Sequence, residues 1–359
     1  MTNAVHAIDA ALIEQEHRDR LHSATGSGRV APRFQQGTFM RLIIDTDTAG
    51  DDCFSILIAA AQPHVKIEAV TICNGNIAFR QQIENALKTL EVAGLGGKVP
   101  VYPGCPKPLL RDHVDAAYVF GEDGMSGAHF APTVQRPEPR HAVDAMIELI
   151  MANPGEISIL AQAPLTNIAV AATMEPRIAG ALKQLWIMGG TDNGVGNVTP
   201  AAEYNFYVDP EAAAIVFNAG FAISLVTWTL SLSSSLMDEA DLAEVAAMKT
   251  AKSDFFTAVN ASQVQFSVDH YGHAGTVHPD ALTAACAVVP GVATESANCL
   301  VEIETNSALT RAYSSVSSPR VPKQEIADPA LGKAKAANAR VIKAVDLALF
   351  RKSLKAALA

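Results

Sequence analysis

Cysteine is scarce in this chain and poorly spaced for metal or redox work: five residues, at 53, 73, 105, 286 and 299, form no CxxC pair. Zinc ribbons and thioredoxin-like chemistry are excluded, and reduced thiols in a reducing compartment are expected, which points to the cytoplasm. Long apolar runs are absent as well. None approaches the roughly 18 to 20 residues that cross a bilayer, so no membrane partner is expected. Basic residues are outnumbered, 27 Lys and Arg against 37 Asp and Glu for a net charge of −10, and no Lys/Arg cluster is interleaved with aromatics. That balance argues against a nucleic-acid partner and for a small ligand. Internal repeats and low-complexity linkers are missing too, which predicts one domain. The N-terminal stretch MTNAVHAIDAALIEQEHRDRLHSATGSG puts charges and a glutamine where a secretory signal needs its apolar core. A short amphipathic helix from about Ile8 to Leu21 is expected there, and residues 1–39 are read as an appendage to a single domain of residues 40–359.

What the chain does have is apolar material: 49% hydrophobic residues against 18% charged, enough for a substantial core. Arg41 to Ile44 reads as a buried strand, Cys53 to Ala61 as a helix, and Val65 to Cys73 as a second strand closed by Asn74-Gly75. A strand, a helix and a strand in such a short span make a βαβ unit with parallel pairing. The rhythm continues through a helix at 78–94, strands at 99–102, 157–162 and 182–190, helices at 141–151, 165–173 and 209–217, and a strand at 221–228. Residues 106–140 lose periodicity and read as a functional loop. Helices are expected over much of 237–267, at 280–288 and at 341–357, with a hairpin near 298–316. The fold class expected is α/β: an open, mostly parallel sheet flanked by helices, with its active site at the C-terminal ends of the strands.

At that place lies 45-DTDTAGDD-52, four aspartates in eight positions between two apolar runs. Helix capping uses one acid, whereas adjacent carboxylates repel one another. A hard divalent cation resolves the repulsion, since Ca²⁺ takes oxygens from carboxylates, carbonyls and water. Asp47 and Asp52 can converge on such an ion across the turn. Asp51 then stands beside it as a base for water, and Asp45, at the strand end, orients the ligands. A dinucleotide site is excluded by the single Gly50, the lack of G-x-G-x-x-G and the carboxylates, which repel pyrophosphate.

The aspartate run, followed in order by 71-TICNGN-76, 121-GEDGMSG-127, 165-LTNIA-169, 186-WIMGG-190, 203-EYNFYVDPEAA-213 and 338-NARVIKAVD-346, resembles the nucleoside hydrolases related to the inosine-uridine-preferring enzymes. The likeness covers about residues 41–350. It implies calcium-dependent hydrolysis of the N-glycosidic bond of ribonucleosides, releasing ribose and free base, with no organic cofactor. A calcium ion holds the catalytic water and two ribose hydroxyls in this family. By resemblance, Asp47, Asp52, Asp280 and the backbone carbonyl of Gln162 are calcium ligands, and Asp51 is the general base. Asn76, Glu203, Asn205 and Asp280 bind the sugar, with Asn197 in the loop before them and Met188 beneath the ribose. The family also implies a homodimer or homotetramer.

Two segments depart from the pattern. The family turn carries Pro-Gly where this chain has Thr48-Ala49, with the aspartate spacing kept. At 277-VHPDALTA-284 relatives have His-Asp, and Pro279 takes the histidine position. His278, one residue earlier, and His270 or His273 in 269-DHYGHAG-275 are the alternative acids for the leaving base. Phe120 stands where relatives place another histidine, so a ring there would stack on the base, as would Tyr118, Trp228 or Tyr271. Purine and pyrimidine both remain open. A modified nucleoside or other N-ribosyl compound is the alternative substrate, and a silent ribose-binding relative is the non-enzymatic alternative.

Overall fold

The structure, a computed structural model, describes residues 39–317 and 336–359; the helix expected between Ile8 and Leu21 lies outside the described residues. Eleven strands are described: β1 Met40–Thr46, β2 Val65–Ile72, β3 Val101–Pro103, β4 Ile157–Ala161, β5 Gln184–Met188, β6 Ile223–Val226, β7 Leu236–Met237, β8 Thr276–Val277, β9 Ala293–Ile303, β10 Ser314–Ser317 and β11 Ala339–Val345. Nine of them form one sheet in the order β10-β9-β11-β6-β5-β4-β1-β2-β3, and β7 pairs with β8 apart from it. Pairing is parallel from β3 across to β11, and only the β11–β9 and β9–β10 pairs are antiparallel. The sheet is therefore the open, mostly parallel one expected.

Such strands are covered on both faces, which is why β4 (ISILA) is buried at every position. Side chains alternate between the covers. Leu42 and Ile44 of β1 join a core with the Gly50–Ala60, Pro279–Val288 and Leu347–Leu358 helices, while Ile43 joins a second core with the Ala142–Ala152, Thr166–Met174 and Pro210–Asn218 helices. Because β1, β2, β4, β5 and β6 run the same way, their C-terminal ends bring Asp47, Asn76, Gln162, Met188 and Trp228 to one edge.

Three local expectations are corrected. The helix after β1 begins at Gly50, not Cys53, so Asp51 and Asp52 occupy its first turn, where acids meet the positive end of the helix. Residues 341–345, read as the start of the last helix, belong to β11 between β6 and β9. Their periodicity runs without a break into LALFRKSLKAAL, and only Asp346, whose side chain accepts from Leu349 N, marks the boundary. The strand read over 221–228 ends at Val226, and Trp228 opens the helix Trp228–Ser234, while Tyr204–Val208 is a helical turn capped by Glu203. Between β3 and the Ala142–Ala152 helix the chain is irregular except for the turn Ala117–Phe120, as the lost periodicity predicted. Among the described residues no helix is long and apolar enough to cross a membrane.

Candidate active site

The turn after β1 is held from all sides by side chains far away in sequence. Gln82 Nε2 donates to the Asp47 carbonyl at 2.8 Å, and Asn85 Nδ2 donates to the carbonyls of Thr48 and Asp123 at 3.0 and 2.8 Å. Gly50 N donates to Gly124 O at 2.9 Å. The segment 121-GEDGMSG-127 is thus a clamp on the aspartate turn and holds Thr48 and Gly50 in place. The clamp extends further: Ser126 Oγ donates to Val259 O at 2.5 Å and accepts from Ser262 N at 2.8 Å, joining the turn to the Ala261–Tyr271 helix.

The four aspartates are buried. Asp45 Oδ1 accepts from Thr71 Oγ1 at 2.7 Å and Asn167 Nδ2 at 2.8 Å. Burial pushes its carboxyl up to about 7, against which both hydrogen bonds work. Asp52 Oδ1 accepts from Thr46 Oγ1 at 2.6 Å and Gln162 Nε2 at 3.1 Å, and Oδ2 from Ala49 N and Asn76 Nδ2, each at 3.1 Å. Burial raises it to about 6. Asp47 Oδ2 accepts from Asn76 N at 2.9 Å, while Oδ1 has no partner among the described residues. Burial, then the charge of Asp52, raises Asp47 well above the carboxylate range. Asp280 is raised likewise by burial and by Asp52, Asp51, Asp47 and Glu203. Asp51 Oδ2 accepts from Asp280 N at 2.6 Å, and Oδ1 faces His278 Nδ1 at 3.2 Å.

Gly75 fits this cluster so tightly that a Cβ there would overlap the Asp47 carboxylate. Gly75→Ala is therefore expected to displace Asp47 and remove turnover by at least ~100-fold with the protein still folded. Steady-state kinetics beside circular dichroism check it; an active Gly75→Ala protein would show that Asp47 has no fixed position to lose.

A cavity of about 310 Å³ opens over the cluster, and Asp51, Asn76, Phe120, Gln162, Met188, Asn197, Glu203, Asn205, His273 and Asp280 all border it. Of the sequence-predicted sugar-side residues, each reaches this one cavity. Glu203 accepts from Gly190 N at 2.7 Å, Asn205 N at 2.8 Å and Phe206 N at 3.2 Å, so the same carboxylate that caps the turn faces the cavity. Asn205 Nδ2 lies 3.3 Å from Met188 O and Asn197 Oδ1 accepts from Tyr204 N at 2.9 Å. Gln162 is turned inward: its side chain holds Asp52, a duty the main-chain reading did not include.

His278 is not on the cavity wall. It is fully buried behind Asp51, with Nε2 2.8 Å from Thr276 Oγ1, so the reading of His278 as an acid facing the leaving base is corrected to one of support. His270 stacks on Phe266 with ring centroids 4.0 Å apart, and only His273 of the three candidates borders the cavity. Tyr118, Trp228 and Tyr271 border it as suspected. Gln263, Phe266 and Ser267 were missed. They recur with Tyr271 at helical spacing on the Ala261–Tyr271 helix, one stripe that the sequence carries but that reads as ordinary amphipathicity.

Among the described residues no three or more His, Cys, Asp or Glu side chains stand as a ready-made cation cage. The donor set nonetheless fits a hard cation by its chemistry: a buried, unpartnered Asp47 oxygen lies among carboxylates that disfavour one another's charge.

Glu203 yields a pH prediction. Burial raises it from 4.5 to about 7, so the folded state keeps a proton that the unfolded state releases. That contribution to stability is full below about 4.5 and lost as pH rises through about 7, about 3 kcal/mol in all. Denaturant unfolding of wild-type and Glu203→Gln proteins without metal should diverge accordingly, the wild type losing stability relative to the variant between those limits. Parallel pH curves would contradict a buried, protonated Glu203.

An open α/β sheet with a buried carboxylate cluster beside a cleft at its C-terminal edge is a frame that suits a small-ligand enzyme using acid–base chemistry. The profile of the family described as inosine-uridine preferring nucleoside hydrolase matches residues 42–352. The chain belongs to that family and is an N-glycosyl hydrolase. An uncharacterized protein of Schizosaccharomyces pombe is 36% identical over 279 residues, 77% of this chain and 89% of the relative. The pyrimidine-specific ribonucleoside hydrolase RihB of Escherichia coli is 33% identical over 271 residues, 74% of this chain and 84% of RihB. Among solved structures, the plant nucleoside hydrolase PpNRh1 superposes with a TM-score of 0.82 at 29% identity, covering 89% of this chain and 99% of that one. An inosine-guanosine nucleoside hydrolase gives 0.79 at 28% identity, with coverage of 89% and 99%.

Proposed function

We propose that this protein hydrolyses the N-glycosidic bond of ribonucleosides in a calcium-dependent reaction, releasing ribose and free base, with Asp51 as general base. The observation that carries this reading is the convergence of Asp51, Asn76, Glu203, Asn205 and Asp280 on one cavity, with Asn76 also holding the Asp47 carboxylate, whose other oxygen is buried and without a partner among the described residues. Asp47, Asp52, Asp280 and the Gln162 carbonyl would hold the cation, which when bound supplies a Lewis acid for water and ribose hydroxyls. The chain's own residues do the rest. Asn76 and Asn205 offer both donors and acceptors to sugar hydroxyls, and Glu203 and Asp280 accept from them. Asp51, fixed by the Asp280 N–H, takes a proton from the attacking water. The water oxygen bonds to the anomeric carbon as the C–N bond breaks; the electron pair leaves with the base, which takes up a proton from solvent, and Asp51 gives its own proton back to solvent. Positive charge builds on the sugar ring in that step, and the surrounding carboxylates favour it.

The base then lies among Tyr118, Phe120, Trp228, Phe266 and Tyr271, a mostly apolar wall with His273 at its rim. A modified nucleoside or other N-ribosyl compound is the second reading, favoured by Phe120 on that wall at the position where relatives place a histidine. The test is release of free ribose from a panel of purine, pyrimidine and modified ribonucleosides, with and without chelator. Turnover that is lost on chelation and restored by calcium is expected. Turnover of unusual substrates alone would favour the second reading, and no ribose from any would overturn both.

A further inference from the structure

His278 lies beneath Asp51 in a chain of polar contacts that runs from Asp51 through His278 and Thr276 to Asn260. Asn260 Nδ2 donates to Thr276 Oγ1 at 3.1 Å. The Thr276 hydroxyl, 2.8 Å from His278 Nε2, is then free to donate its own hydrogen to that nitrogen. An imidazole whose Nε2 accepts carries its hydrogen on Nδ1, and Nδ1 is the atom 3.2 Å from Asp51 Oδ1. A carboxylate acting as base offers only lone pairs, so the opposite polarity would set two acceptors against each other between two buried side chains. The ring itself is immobilised. It is fully buried, its N–H backbone group is held by Ser235 Oγ at 3.0 Å, and the rings of Phe54 and Phe256 lie 5.4 and 5.6 Å from it.

We propose that Asn260, Thr276 and His278 form a relay that positions the Asp51 carboxylate, with His278 donating through Nδ1 and Thr276 fixing the tautomer that makes the donation possible. The proposal rests on the reading of Asp51 as the base, on which it acts without touching substrate. One Asp51 oxygen is tied to the Asp280 N–H and the other to His278, so the carboxylate plane is set from two directions. Each oxygen keeps a lone pair for the cavity. The relay also gives a physical role to the histidine that the HPD segment displaces from the position its relatives use.

Two measurements test it. The first needs no activity: ¹⁵N-resolved spectra of the histidine side chains of the full protein should show one imidazole in the Nδ1–H form that changes on Asp51→Asn and on Thr276→Val. An Nε2–H tautomer for His278 would overturn the relay, whatever the substrate. The second is kinetic. His278→Gln, whose amide nitrogen reproduces Nε2 and not Nδ1, should lower kcat by ~10- to 100-fold with KM within about twofold, as outer partners of catalytic groups do. His278→Asn, whose amide nitrogen overlays Nδ1, should recover most of the rate. Thr276→Val should resemble His278→Gln, Thr276→Ser should restore the rate, and Thr276→Val should cost nothing further in the His278→Asn protein, where no tautomer needs fixing. Equal losses for Asn and Gln, or additive losses for the Thr276→Val, His278→Asn pair, would show a packing role and overturn the proposal. Turnover that survives Asp51→Asn would instead refute the base assignment, so the two failures are told apart.

Discussion

Asp51→Asn is expected to lower kcat by ~10²- to 10⁴-fold, about 3 to 5 kcal/mol of transition-state stabilisation, with substrate affinity close to wild type. The reason is geometric as well as chemical. Asp51 receives hydrogen bonds on both oxygens, from Asp280 N and toward His278 Nδ1, and still borders the cavity. An asparagine keeps the shape and one acceptor but cannot take a proton from water. Its amide NH₂ must also face one of the two donors, so a modest loss of stability should accompany the loss of rate. Separating the two requires kcat, substrate affinity and unfolding free energy on the same protein. A variant whose kcat stayed within a few-fold of wild type would remove Asp51 from the reaction.

Asp47→Ala should have an effect of comparable size by another route. Asp47 carries a buried oxygen without a partner among the described residues, and its other carboxylate oxygen is held by Asn76 N. Removing the carboxylate would take a formal charge and a ligand from the proposed cation site while relieving the repulsion with Asp52. Calcium affinity is expected to fall by at least ~100-fold, and the stabilisation that calcium confers at a fixed concentration should fall by about 2.7 kcal/mol or more. Calorimetric titration with calcium, and thermal unfolding with and without it, read this independently of turnover. Unaltered calcium binding in Asp47→Ala would place the cation elsewhere. Calcium that fails to bind the wild-type protein would refute the metal assignment itself.

Much of the fold was readable because its physical causes are local. Buried parallel strands must be short apolar runs, and β1, β2, β4, β5 and β6 are that. β11 escaped because a sheet strand flowing into an amphipathic helix shares its hydrophobic density with it; Asp346 was the available signal. The site was legible where function crowds residues together in sequence, at 45-DTDTAGDD-52, and where family-like segments line up after it. It was not legible where support arrives through space. Gln82 and Asn85 read as polar positions on a helix, yet both are buried and hold the catalytic turn. Their signal was a pair of amides three residues apart beside apolar Ile83 and Ala86. His278 showed the reverse failure. Its chemistry was recognised and its direction was not, because a single residue's offset at the start of a helix decides whether a side chain meets the cavity or the back of Asp51.

The clamp formed by 121-GEDGMSG-127 carries an implication for how base preference can change. One end of this segment grips the catalytic turn through Gly50, and the other grips the start of the Ala261–Tyr271 helix through Ser262. Shifting that helix bodily to suit a new nucleobase would tug on the turn that holds the aspartates, and speed would suffer with selectivity. Exchanging side chains at 263, 266, 267 and 271 leaves the anchor in place. Divergence of substrate choice in this protein therefore has an inexpensive route through surface chemistry on a fixed helix, and a costly one through backbone movement.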